Sequence, residues 1–139
     1  MKYILLIAIS FLFIGCKAQF KDISHQAGYN SLVNKTYYLM EEMYILGVNL
    51  PPGYGQNIDV YKVGPIYPTW TGRELISREI LPIGTALTIK SIETCKNCLD
   101  NRIEIILSIP SNSNLSHLNL VNAPIKMNIK YISMLSEEM

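Results

Sequence analysis

The densest chemistry in the chain is Cys95-Lys96-Asn97-Cys98. A C-x-x-C spacing is that of thiol-disulfide oxidoreductases, in which a helix N-terminus makes the first thiol acidic. Here the pair leaves one extended stretch and soon enters another, and Leu99-Asp100-Asn101 reads as a turn, so no helix dipole is offered. The structural reading is a disulfide between Cys95 and Cys98 that pins a hairpin tip. Closing so small a loop yields only about 2 kcal/mol of chain entropy. Half of a metal site is a third reading, but zinc would want two more ligands, and only His25 and His117 are available.

His25 falls in a polar N-terminal stretch and His117 in a polar loop, where solvated side chains are expected rather than catalytic bases. Glu41-Glu42 and Glu137-Glu138 are sequence neighbours. In a strand such neighbours face opposite ways, whereas paired-carboxylate catalysis needs both groups on one substrate. No G-x-S-x-G, H-E-x-x-H or phosphate-cradling glycine loop occurs. The expectation is a non-enzymatic protein with no catalytic residue, cofactor or metal. Tyr54, Tyr61, Tyr67 and Trp70 cluster around two Pro/Gly-rich loops, with Arg73 and Arg78 nearby. Loop aromatics offer large contact area at low entropy cost, so these tyrosines, Trp70 and Arg73 form the candidate partner-binding surface. The alternative is that they cap the open ends of the fold.

The elements that must position these residues read as strands. Thr36 to Met40 is rich in β-formers, and Met43 to Val48 continues it past a bend at Glu41-Glu42, although the same residues also suit one helical face. Leu50-Pro51-Pro52-Gly53-Tyr54-Gly55 is a loop, because its prolines lack donors and its glycines permit positive φ. Ile58 to Val63 is a strand stopped by Gly64-Pro65, and Tyr67 to Gly72 is a second loop. Leu75 to Ile80 is extended, and Leu81-Pro82-Ile83-Gly84 turns the chain. Leu87 and Ile89 alternate with Thr88 and Lys90 before Ser91-Ile92 flips the phase, which predicts a bulge or strong bend. Ile103, Ile105, Leu107 and Ile109 share one face opposite Arg102, Glu104 and Ser108. Ile125, Met127, Ile129 and Tyr131 alternate with Lys126, Asn128 and Lys130, the pattern of a sheet with one wet face. A polar connection, Ser111 to Asn122, joins these two strands. The expected fold is all-β: a small antiparallel β-barrel of five to seven strands, closed or nearly so, which removes aggregation-prone edges.

Ahead of this lies a different kind of segment. Lys2 precedes an apolar run from Tyr3 to Ile14 broken only by Ser10. The run is about 12 residues, short of the roughly 20 a spanning helix needs, and its flanks fit a signal peptide. Gly15-Cys16 behind bulky apolar residues resembles the lipobox of bacterial lipoproteins, with Phe13 departing from the usual leucine. That resemblance implies cleavage before Cys16, a diacylglycerol on its thiol and usually an acylated amine. Ordinary cleavage after Ala18 is the competing reading, since Cys16 and Ala18 are small. The implied organisation is a signal peptide over 1–15, a lipidated tether over 16–35 and the β-domain over 36–139. Lys17 follows the cysteine where enteric inner-membrane lipoproteins tend to carry aspartate, so the leaflet stays open between the inner and outer membrane.

Cleavage before Cys16 leaves 124 of the 139 residues, enough for one domain with a real core. The chain has 12 Lys+Arg and 11 Asp+Glu, and loss of Lys2 makes the mature form neutral. Without a basic cluster, neither nucleic acid nor a polybasic membrane patch has electrostatic support. Attachment would rest on acyl chains, whose burial gives about 0.8 kcal/mol per methylene. With Cys16 acylated, two cysteines remain, and export would place them where a disulfide persists.

Two further resemblances lie in the body of the chain. Leu75-x5-Leu81-x2-Gly84-Thr85-x-Leu87-x-Ile89-x2-Ile92 resembles bacterial Src-homology-three-like barrels. The lipobox, Pro51-Pro52-Gly53-Tyr54-Gly55, Gly84-Thr85 and Cys95-Lys96-Asn97-Cys98 together resemble small prophage-type lipoproteins of enteric bacteria. The expected function is a lipid-anchored, periplasm-facing envelope lipoprotein that presents a small barrel to an envelope protein or peptidoglycan. The alternatives are an inhibitor or immunity protein against a wall-degrading enzyme or toxin, and a thiol-disulfide oxidoreductase.

Overall fold

The computed structural model describes residues 18–50, 55–68, 71–110, 115, 120 and 123–138. Nine strands follow in chain order: β1 (Phe20–Asp22), β2 (Thr36–Leu39), β3 (Met43–Val48), β4 (Val60–Pro65), β5 (Leu75–Leu81), β6 (Ala86–Cys95), β7 (Ile103–Ser108), β8 (Ile125–Asn128) and β9 (Leu135–Ser136). A 3-10 helix, Ile129–Met134, separates the last two. The strands form one sheet in the order β5-β3-β4-β8-β7-β6-β2-β9, with β1 also on β6. Every pairing is antiparallel except β4 with β8.

The sheet has to curl. Four residues, Pro82 to Thr85, join β5 to β6, yet five inter-strand steps separate them along the sheet. Flat, those steps would span about 24 Å, whereas the connecting chain reaches only about 17 Å. Gly84, at φ 78°, supplies the left-handed residue this turn needs. The concave side holds the core: Met43 and Ile45 of β3, Val63 of β4, Leu87, Ile89 and Ile92 of β6, Ile105 of β7 and Met127 of β8 are all buried together.

The all-β class is as expected, but the sheet is not closed into a barrel, it has nine strands rather than five to seven, and it is mixed rather than antiparallel. No ladder joins β5 to β9 among the described residues, and β9 is only two residues long. The parallel pair arises because the long connection after β7 returns the chain along β4 in β4's own direction. That connection is not purely polar, since Leu115 is buried in the core.

The phase flip in β6 is a register shift between Ile89 and Ser91, as expected. Other boundaries move. β4 runs through Gly64-Pro65 instead of stopping there, with Met43 opposite Pro65. The last alternating stretch ends at Asn128, whose side chain accepts the Lys130 N–H at 3.0 Å and starts the 3-10 helix, so Ile129 and Tyr131 are not strand residues. The segment read as a tether is part of the fold from Phe20 onward. β1 pairs with residues Glu93 to Cys95, the Ile23 N–H donates to the Ile92 carbonyl, and Ile23 is buried in the core.

Candidate functional site

The convex face of the sheet carries a cleft of about 290 Å³ over β4, β8 and β7. Its floor follows from register. Lys62 of β4 lies beside Lys126 of β8 in the parallel pair, and Glu104 of β7 is opposite Asn128 on the other side of β8. The Glu104 carboxylate accepts from Lys62 Nζ at 3.1 Å on Oε1 and from Lys126 Nζ at 3.1 Å on Oε2. Lys126 also reaches Glu93 Oε2 at 3.4 Å and lies 4.2 Å from the centre of the Phe20 ring. β1 therefore covers one flank of the network.

Glu104 is only 5% exposed. Burial by itself raises its pKa, but the Lys62 and Lys126 ammonium groups outweigh that and hold the carboxyl below its ordinary value. A carboxylate so stabilised, with both oxygens engaged, is an organiser of the cleft floor and a poor proton acceptor. Around it the walls carry Arg102, Lys130 and Asp100, with Tyr44 and Tyr131 as aromatic sides. Four cationic and two acidic side chains line the cleft, a net charge of +2. Arg102 Nε is buried without a hydrogen-bond partner, while Nη2 donates to Cys98 Sγ at 3.4 Å. Such a cleft suits a ligand or partner segment carrying an acidic group flanked by apolar surface.

Cys95 and Cys98 lie at disulfide distance, with Cα atoms 5.6 Å apart, at the tip between β6 and β7. Cys95 is buried, and the pair stands on a hairpin rather than at a helix start. Among the described residues no group of three His, Cys, Asp or Glu side chains could hold a metal ion.

Of the expected aromatic surface, Tyr61, Tyr67 and Arg73 fall among the described residues. Tyr61 is 2% exposed and belongs to the core, because its position opposite Gly47 turns it to the concave side; it cannot touch a partner. Tyr67 is 82% exposed and Arg73 is exposed. Tyr54, Trp70, Cys16 and His117 lie outside the described residues. Sequence reasoning passed over Lys62, Glu104, Lys126 and Lys130 as site residues; their only signal was a charge at a polar position in or just after an alternating stretch. The nominally wet face of β7 is in fact covered at Glu104.

The chain matches no known family, curated protein or solved structure with which it was compared.

Proposed function

We propose that this chain is a lipid-anchored, non-enzymatic bacterial envelope lipoprotein whose curled β-domain presents the convex cleft to another envelope component. One observation carries the reading: Gly15-Cys16 closes an apolar run that is led by Lys2 and too short to span a bilayer. Two features support it. The Cys95–Cys98 pair suits an oxidising compartment. The cleft offers fixed polar groups between aromatic walls, the make-up of a preformed binding site.

Mass spectrometry of the mature N-terminus after membrane fractionation is the test. A diacylglyceryl Cys16 at the new N-terminus is the expected result. An unmodified thiol, with residues 1–15 still attached and the protein in the cytosolic fraction, overturns the proposal. Crosslinking in intact cells then examines the presented surface: Lys130→Glu combined with Tyr131→Ala should lose the crosslinked species that the parent chain forms. Retention of the same species would move the binding surface elsewhere.

A further inference from the structure

Gln19 is fixed on both sides to the tip of the β6–β7 hairpin. Its N–H donates to Asn97 Oδ1 at 2.7 Å, and its carbonyl accepts the Lys96 N–H at 2.8 Å. Only Lys17 and Ala18 stand between Gln19 and Cys16, and three residues of chain span at most about 10 Å. The headgroup layer of one leaflet is itself about 5–7 Å deep. An acylated Cys16 therefore leaves Gln19, and the hairpin tip bonded to it, only about 3–5 Å of reach beyond the headgroup layer.

The tip is built for contact rather than for swinging. Cys95–Cys98 clips it, and β1 braces it through the pairing of Phe20 with Cys95. At the apex Leu99 is completely exposed, and the neighbouring Lys96 is exposed as well. A lone exposed leucine is ordinary on a protein surface, but this one occupies the place that the anchor presses against lipid.

We propose that the disulfide-clipped hairpin tip is a bilayer contact, with Leu99 entering the interfacial layer beside the acyl chains on Cys16 and Lys96 meeting lipid phosphates. This rests on the lipoprotein reading given above. The domain is then held in one orientation, and the cleft, whose rim includes Asp100 and Arg102, opens next to the membrane.

The chain has one tryptophan, Trp70, so Trp70→Phe gives a silent background into which Leu99→Trp is placed. Ile83→Trp is the control, because Ile83 is 65% exposed in the turn at the opposite end of β6, about 30 Å away by strand rise. Full-length protein, processed in cells and purified, is reconstituted into phosphatidylethanolamine–phosphatidylglycerol vesicles with or without brominated acyl chains. Expected are co-flotation of both variants, with blue-shifted, several-fold quenched emission from position 99 and unquenched emission from position 83. Co-flotation with equal, unquenched emission from both positions overturns the contact and leaves the anchor standing. A blue shift at position 99 that brominated lipid does not quench, and that grows with protein density, overturns it in favour of a protein neighbour. Failure to float, with an unacylated N-terminus by mass, overturns anchor and contact together.

Discussion

Glu104 shows how a single side chain can set the character of the cleft. Its folded-state pKa lies below its ordinary value because two ammonium groups face it in a buried site. A depressed carboxyl pKa stabilises the fold at every pH above the unfolded value, and that contribution fades as pH falls through the folded one. Stability of the parent chain should therefore decline on acidification below about pH 4.5, the ordinary value for this group. Glu104→Gln keeps the shape but leaves Lys62 and Lys126 facing a neutral amide in a largely covered site. It should cost about 1–3 kcal/mol at neutral pH, and its urea midpoint should change less than the parent's between pH 5 and pH 3, a window taken from the same linkage. Parallel pH profiles for the two chains would contradict the assignment.

At the scale of elements, the clipped hairpin and the β3–β4 loop are the local devices to test. Cys95→Ala with Cys98→Ala releases a loop of sequence separation 3 and should lower stability by about 2 kcal/mol in non-reducing urea titrations. Reduction of the parent chain should lower it by a similar amount; no loss in either experiment would show that the clip is idle. Asn49 holds the other device. Its Nδ2 donates to the Asn57 carbonyl and to Asp59 Oδ2, both at 2.9 Å, and its Oδ1 accepts the Gly55 N–H at 2.8 Å. Asn49 is buried, so Asn49→Ala strands those partners and should cost about 1–3 kcal/mol by thermal or urea unfolding. What could be read from the chain follows from the same local physics. β7 and the start of β8 were legible because period-two burial leaves a direct mark, as was the β6 irregularity, where Ser91-Ile92 breaks the phase. β1 was not, because Phe20–Asp22 is too short to alternate visibly and is made a strand by the edge of β6. The cleft was hidden for a related reason. Lys62 and Lys126 are far apart in sequence, and only the parallel β4–β8 register sets them side by side over Glu104.

For the whole molecule, the decisive question is where the folded unit starts. Composition alone makes residues 16–35 a polar tether, but the curled sheet needs those from Phe20 onward. β1 and β2 share one edge of β6, end to end: β2 lies beside Ala86 to Thr88 and β1 beside Glu93 to Cys95. Between them Ile23 enters the core, Ser24 Oγ accepts the Ile92 N–H at 2.8 Å, and the Asn34 N–H donates to the Ile89 carbonyl at 2.8 Å. Tyr29, Leu32 and Val33 pack half-buried against the same core. Burial of a side chain such as Ile23 is worth about 1.5–3 kcal/mol. The half-buried trio and the β1 pairing add to that, within a total stability of order 5–15 kcal/mol for a domain of this kind. A chain starting at Thr36 should therefore be unfolded, or melt at a far lower urea concentration, and expose the polar groups of half of β6 as a new sheet edge. A chain starting at Gln19 keeps every one of these contacts and should unfold at the midpoint of the mature protein. Equal midpoints for the two truncated chains would restore the tether. They would also remove the docking of Gln19 on the hairpin tip, on which a fixed orientation at the membrane depends.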